Sequence, residues 1–190
     1  MAATETATRT AELAAAVAAR FSAVNGDHPM SAEDDAYVST WYLPLEELAR
    51  DAEVDVDAIR VLMLADRLPI PSYIRSDGVQ MVARDLLELA EEAGGPDRLP
   101  EWFAQQWKSP LEAVVEWDSY LSGKYVCLRS VSPGNMKRKN ELVEAITAEL
   151  AAPRPESEEW LAHLHAFVDE LDGLEPPFAA YDRLRFGGPV

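Results

Sequence analysis

Apolar residues recur with helical spacing in the first thirty positions, and together they form one stripe on an α-helix. Asn25-Gly26 is a typical helix end, so the pattern predicts one N-terminal helix within residues 1–30. A single apolar stripe usually faces a core, so we expect this helix to dock on its own protein. A helix that binds a partner is the alternative. The stripe consists of Leu13, Val17, Phe21 and Val24.

Residues 31–95 carry two short apolar runs on either side of a tight turn. Each run has the spacing of one helix face, and Pro69 and Pro71 end the second run. The pattern predicts a helix-turn-helix with the turn near Ala52 and Glu53. The inward positions are Leu45, Leu48 and Ala49 in the first helix and Val56, Ile59, Leu62 and Met63 in the second.

A β-hairpin is predicted directly after this unit. Arg75-Ser-Asp-Gly78 separates Pro71-Ser-Tyr-Ile from Val79-Gln-Met-Val. Asp-Gly between two apolar runs is a strong hairpin signal, and Gly78 is expected to have a positive φ. A helix over residues 83–93 should follow and end at Gly94-Gly95.

The remaining residues, 96–190, predict a helical domain. Trp102 and Trp107 are placed on one helix, and Ser109-Pro-Leu-Glu112 is a strong start for the next. Ser132-Pro133 opens a long helix to about Ala151, another amphipathic helix contains Trp160, and the tail is predicted to be irregular but packed. The expected fold is mainly α: a winged helix-turn-helix-like unit with a small β-hairpin plus a C-terminal helical domain. The predicted divisions are 1–30, 31–95 and 96–190.

Charge changes the meaning of the helix-turn-helix. The chain has a net charge of -17 and a pI near 4.5, and residues 31–95 alone hold 5 basic and 15 acidic residues. Asp55 and Asp57 are predicted on the surface that would meet phosphate. Because nucleic-acid affinity comes largely from Lys and Arg that neutralise phosphates, we expect no nucleic-acid partner. An anionic membrane is disfavoured for the same reason, and no apolar run reaches the length of a membrane span.

Residues 43–82 nevertheless resemble the N-terminal part of MerR-type winged-helix regulators. Arg67-Leu-Pro69 matches the family's exit from the second helix, and the Asp77-Gly78 hairpin lies where its wing would be. Glu53 and Asp66 replace two glycines of that family, and Asp57 replaces a basic residue that faces DNA. The resemblance implies a transcription regulator, which is the alternative function. Its matching residues are Leu45, Glu47, Leu48, Ala49, Arg50, Val54, Ile59 and Arg60.

A second resemblance covers nearly the whole chain. It is similar to a family of bacterial proteins of unknown activity associated with natural-product biosynthesis, and it implies that context without a reaction. The strings that carry it are Asp35-Ala-Tyr37, Arg67-Leu-Pro-Ile-Pro-Ser-Tyr73, Tyr120-Leu-Ser-Gly123, Cys127-Leu-Arg129, Ser132-Pro133 with Lys139, and Phe186-Gly-Gly-Pro-Val190.

Reactive residue types are sparse. Cys127 is the only cysteine, which excludes an internal disulfide and favours a cytoplasmic location and a buried thiol. His163 and His165 are two residues apart on a predicted helix and face opposite sides, so no metal site is predicted. No phosphate loop, dinucleotide fingerprint or Gly-x-Ser-x-Gly motif occurs, and we expect no cofactor. Catalytic residues therefore stay unassigned.

The aromatic residues of the C-terminal half offer a binding site. An aromatic wall suits a small organic molecule, although the same residues are ordinary core material. Basic residues at the start of the helix after Pro133 could anchor an anionic group, with a solvated charge run as the alternative. The resulting hypothesis is an accessory or tailoring protein that binds a small-molecule intermediate, and a cofactor-free cyclase or isomerase is one form of it. A non-catalytic docking scaffold is a further alternative. The candidate ligand-binding residues are Trp102, Trp107, Trp117, Tyr120, Arg129, Lys137 and Trp160.

Overall fold

The computed structural model describes residues 2–187, which form ten α-helices and three short strands. The prediction of a mainly helical protein with a small β-hairpin is confirmed. The chain folds into two compact units: a large unit that contains residues up to Val126 and those from Ala179 onward, and a small unit, Cys127–Phe178. The division into 1–30, 31–95 and 96–190 stays a prediction.

Helix α1 (Ala2–Asn25) contains the predicted N-terminal helix and begins earlier than the apolar stripe requires. Val17 and Phe21 are buried, whereas Val24 is 41% exposed, so the stripe is shorter than expected. The helix ends at Asn25, and Gly26 has a φ of +79°. Helix α1 packs against α4 (Val56–Leu64), so it docks on the large unit.

Two helices and a short strand lie between α1 and α4. Helix α2 (Ala32–Trp41) starts with a capping box in which Ser31 Oγ accepts from the Asp34 N–H. Strand β1 (Leu43–Pro44) leads directly into α3 (Leu45–Asp51), and α4 follows after a tight turn. The two helices lie at the predicted positions, with Leu45, Leu48, Ile59 and Met63 buried.

The predicted hairpin is confirmed. Strands β2 (Tyr73–Ile74) and β3 (Gln80–Val82) are antiparallel, and β1 pairs with the other side of β3, so the sheet order is β1-β3-β2. Gly78 has a φ of +84°, and its N–H donates to the Arg75 carbonyl oxygen at 2.8 Å. Glycine adopts this backbone without the steric cost that a side chain adds.

The rest of the large unit is helical. It comprises α5 (Glu88–Glu92), α6 (Leu99–Gln105), α7 (Pro110–Leu121) and α10 (Ala180–Phe186). Three predictions need correction. Helix α5 is shorter than residues 83–93 because turns precede it, Trp107 lies beyond the end of α6, and the tail forms a helix.

The small unit is a pair of packed helices. Helices α8 (Pro133–Ala151) and α9 (Glu158–Leu174) are capped by Ser132 and Ser157, whose hydroxyls accept from backbone N–H groups three residues later. The bounds of α8 match the prediction. Within residues 2–187, no helix has the length and apolar content needed to cross a membrane.

Gly123 is required by a close backbone approach. Its φ is +66°, and a Cβ there would lie 2.8 Å from the carbonyl oxygen of Pro71 and 3.0 Å from that of Ile70. The Ile70 N–H also donates to the Leu121 carbonyl oxygen at 3.0 Å. The end of α7 is thereby fixed against the segment that leads into the hairpin.

Candidate functional site

Helix α4 contains a buried charge network centred on Arg60, which is 2% exposed. Its Nη1 donates to Asp57 Oδ1 at 3.1 Å, its Nε donates to Gln80 Oε1 at 3.1 Å, and its Nη2 pairs with Glu46. A buried guanidinium is stable only when it is paired and hydrogen-bonded, and this one meets both conditions. Arg60 therefore links α4 to α3 and to the sheet.

Helix α1 covers the face of α4 that carries Asp57. Thr10 Oγ1 donates to Asp57 Oδ2 at 2.7 Å, and Arg20 Nη1 donates to the Met63 and Leu64 carbonyl oxygens at 3.1 and 3.2 Å. The prediction that Asp57 lies on an exposed surface is wrong: it is buried under α1. Asp55 is exposed and caps α4, where its Oδ1 accepts from the Asp57 N–H.

Two residues beside this network have strained backbone. Glu53 and Asp66 have φ values of +56° and +58°, and they are the only non-glycine residues with positive φ among residues 2–187. These are the two positions at which the MerR-type pattern has glycine. Asp66 also forms an ion pair with Arg20 on α1.

An aromatic cluster joins α6 and α7. The Phe103 ring lies 5.7 Å from that of Trp107, 5.1 Å from that of Trp117 and 5.5 Å from that of Tyr120. Phe103 and Tyr120 are buried, and Trp117 is half-buried. Burial raises the pKa of the Tyr120 phenol above its ordinary value. The cluster is therefore a core whose outer edge reaches solvent at Trp117.

A groove of about 720 Å³ runs along this outer edge. Trp107 and Trp117 border it, so two of the predicted binding residues form one wall. Val114 and Ala104 add apolar surface, and the polar residues at the groove are Glu101, Gln105, Lys108 and Ser109. Pro100, Pro110 and Ala113 complete the lining.

The other predicted binding residues lie elsewhere. Trp102, on α6, and Tyr120, in the aromatic core, lie outside the groove lining. Arg129, Lys137 and Trp160 belong to the small unit. Sequence spacing could not separate these groups, because amphipathic patterns do not indicate which helices pack together.

The basic cluster of α8 is engaged within the small unit. Arg138 donates to the two carboxylate oxygens of Glu170 at 2.6 and 2.7 Å, which lowers the pKa of Glu170, and Nη1 donates to Glu141 at 3.1 Å. Ser132 Oγ is occupied by capping Asn135. The pairing of Arg138 with Glu170 ties α8 to α9.

Cys127 is half-buried and paired with a lysine. Lys139 Nζ donates to Cys127 Sγ at 2.9 Å and lies 3.4 Å from Glu175 Oε1. Burial alone would lower the pKa of the Lys139 ammonium, but Cys127 and Glu175 raise it, and the net direction is upward. Lys139 therefore stays charged in this cluster.

Helix α10 brings a second buried polar cluster that the sequence did not reveal. Tyr73 Oη donates to Asp182 Oδ1 at 2.6 Å, and the Ala179 N–H donates to Asp182 Oδ2 at 3.1 Å. Arg185 donates to the Ser72 carbonyl oxygen and to Asn25 Oδ1, and its guanidinium lies 5.0 Å from the centre of the Tyr73 ring. The cluster joins α10 to the sheet and to the end of α1.

Metal-binding groups are not assembled in the described range: residues 2–187 hold no group of three or more His, Cys, Asp or Glu arranged around a common centre. A second cavity of about 310 Å³ lies where the end of α1, the loop after it and the hairpin turn meet. Asp27, His28, Arg75 and Tyr181 contribute to its wall.

Comparison with known proteins gives one match. Residues 99–187 match a protein family described as a family of unknown function (DUF6058). The matched range begins at α6 and contains α7, the groove's remaining lining, the small unit and α10. No curated protein and no solved structure showed a match.

Proposed function

We propose that the segment from α2 to β3 is a winged helix-turn-helix. Three observations support this assignment. The elements follow the order helix, strand, two helices, two strands, and the sheet order is β1-β3-β2. A hairpin stands in the wing position, and the backbone at Glu53 and Asp66 is left-handed where the MerR-type pattern has glycine.

We further propose that this unit no longer reads DNA. Helix α1 lies on the Asp57 face of α4. Arg60 is already paired with the carboxylates of Glu46 and Asp57. Displacing α1 would expose the buried side chains of Val17 and Phe21 and leave Arg60 and Asp57 near water. The transcription-regulator alternative is therefore the weaker one.

The function that the geometry supports best is binding of a small, mainly apolar organic molecule in the groove between α6 and α7. The observation that carries it is the wall of Trp107 and Trp117 along a groove of about 720 Å³. Small-molecule sites typically enclose about 300–1,000 Å³ and combine aromatic walls with a few polar groups. Lys108 and Gln105 are available here to orient a carboxylate or a carbonyl group.

The biosynthetic context comes from the whole-chain resemblance alone. It makes an intermediate of natural-product biosynthesis the proposed ligand class. The apolar walls of the groove suit an intermediate that combines an apolar ring or chain with few polar groups. The groove would supply affinity through burial, and its rim would set orientation.

The test uses the dye 8-anilinonaphthalene-1-sulfonate, an aromatic anion, as the probe. Dye binding in the groove should quench the fluorescence of the groove tryptophans. It should also raise the melting temperature, because the groove exists only in the folded state. Ala104→Phe, on the exposed side of α6, should fill the groove and weaken binding several-fold.

Ala19→Phe is the matched control, because Ala19 is exposed on α1 and outside the groove lining. It should leave dye affinity unchanged. Equal affinity of the two variants would refute binding in this groove, as would a dye that lowers the melting temperature by preferring unfolded chains.

A further inference from the structure

The outward face of α7 is apolar without being covered. Leu111 is 76% exposed, Val114 66% and Val115 54%. Their spacing of three and four residues places them on one face of the helix, while Ala113 and Tyr120 on the opposite face are buried. Single exposed apolar residues are common, whereas contiguous apolar patches are typical of interaction surfaces. We call these three residues the α7 stripe.

Carboxylates accompany the stripe. Asp118 lies about two helical turns after Leu111 on the same face, and Glu112 directly follows Leu111. Both side chains are exposed, and neither forms an ion pair within residues 2–187. Glu116 differs, because it accepts a hydrogen bond from the Tyr125 hydroxyl and its pKa is raised by burial. The α7 surface therefore offers apolar contacts and two unused negative charges.

The charge limits what can cover the stripe. A second copy would bring the same carboxylates and its own net charge of -17, so the two copies would repel each other. A lipid surface with anionic headgroups would be repelled for the same reason. An apolar partner with positive flanks satisfies both features of the surface. Amphipathic helices commonly dock by laying an apolar stripe on such a face, with charges at the rim that steer association.

We propose that the α7 stripe docks a basic amphipathic helix of another protein. Leucine-type side chains of the partner would cover Leu111, Val114 and Val115, and its Lys or Arg residues would pair with Glu112 and Asp118. The α7 stripe and the groove share one residue, Val114. Leu111 and Val115 do not line the groove.

Two synthetic peptides with the same helical pattern test this proposal, one of leucine and lysine and the other of leucine and glutamate. Fluorescence anisotropy at physiological salt should show binding of the first and not of the second. The double variant Leu111→Ser/Val115→Ser leaves net charge unchanged and should weaken binding about tenfold or more, because two buried apolar contacts are lost. Glu112→Gln/Asp118→Asn should weaken binding and reduce its salt dependence.

Leu150→Ser/Val168→Ser is the matched control, because these residues are 55% and 44% exposed in the small unit. It should bind the lysine peptide as the unchanged protein does. Equal loss in both double variants, or no loss in either, would refute docking on α7. Concentration-dependent dimerisation abolished by Leu111→Ser/Val115→Ser would instead assign the stripe to a second copy. Ala104→Phe should retain peptide binding, so failure of the groove and failure of the stripe are distinguishable.

Discussion

At the residue scale, the backbone at Glu53 and Asp66 shows how a local cost is tolerated. A left-handed conformation costs an L-residue roughly 1–2 kcal/mol relative to glycine, and aspartate tolerates it better than glutamate. Asp66 gains an ion pair with Arg20 in return, and that arginine also donates to two carbonyl oxygens at the end of α4. Glu53 is exposed, and none of the ion pairs within residues 2–187 includes it.

Glu53→Gly should therefore stabilise the protein by about 0.5–1 kcal/mol, after the entropy cost of glycine in the unfolded chain. Urea unfolding with the same slope for both proteins measures the change. Asp66→Gly should give a smaller gain, because aspartate is less strained than glutamate in this conformation and because the substitution removes the ion pair with Arg20. A destabilised Glu53→Gly protein, or a larger gain for Asp66→Gly, would contradict this account.

At the scale of elements, helix α10 is held to the sheet by a carboxylate buried at 1% exposure. Burial raises the pKa of Asp182 above its ordinary value, and the hydrogen bonds from Tyr73 and Ala179 oppose that rise. A raised carboxyl pKa means that the folded state holds the proton more tightly. The contribution to stability is therefore complete below the unfolded pKa and is lost as pH rises through the folded pKa.

Tyr73→Phe should destabilise the protein by about 1–3 kcal/mol at pH 7, because Asp182 Oδ1 loses its donor. Removing that donor raises the pKa of Asp182 in the folded state further. Ionising Asp182 in the folded variant therefore lowers the free energy of unfolding more than in the unchanged protein. The deficit should consequently be smaller near pH 4 than at pH 7, a comparison made by urea unfolding at both values.

Tyr42→Phe provides the control for this effect. The Tyr42 hydroxyl lies in the same core cluster and donates to the Val126 carbonyl oxygen at 2.9 Å. Its loss should cost about 1 kcal/mol at either pH, because the acceptor is neutral. If the two variants show the same pH dependence, Asp182 is not the group that responds.

At the scale of the whole molecule, we expect charge and packing together to oppose binding to duplex DNA. The chain carries -17, and the helix that would enter a groove is covered on its Asp57 face by α1. A DNA-binding protein gains affinity by releasing counterions from phosphate, whereas carboxylates add repulsion.

We expect no sequence-specific complex with DNA from the protein's own gene neighbourhood in a gel-shift assay at low salt. The low salt favours detection, because phosphate contacts weaken steeply as salt rises. A sub-micromolar, sequence-specific complex would show that α1 leaves α4 and that the regulator alternative is correct.

Local physics accounts for the elements that were predicted well. Ser109 and Ser132 cap the helices whose starts they were predicted to mark, and Gly78 turns the hairpin with a positive φ. These features depend on a few neighbouring residues, so the sequence contains them directly. The helical tail was missed, because α10 is short and its Asp182 bonds to Tyr73, more than a hundred positions earlier.

The candidate site was only partly predictable for the same reason. Aromatic residues at helical spacing are compatible with a core, a groove wall or both. Trp107 and Trp117 border the groove, Tyr120 is in the core behind it, and Trp160 is in the small unit. Whether an aromatic residue lies in the core or in the groove wall depends on which helices pack together. The residues next to it along the chain do not determine that packing.

By itself, the sequence determined the helical composition, the hairpin, most helix starts and the acidic charge, because each follows from residue type and short-range spacing. Only the tertiary structure decided that Asp57 is buried beneath α1, that Arg60 is buried and paired with Glu46 and Asp57, and that α7 presents an apolar face. Burial depends on the residues that approach from distant parts of the chain. A charged or apolar side chain therefore acquires its role only when those parts have packed.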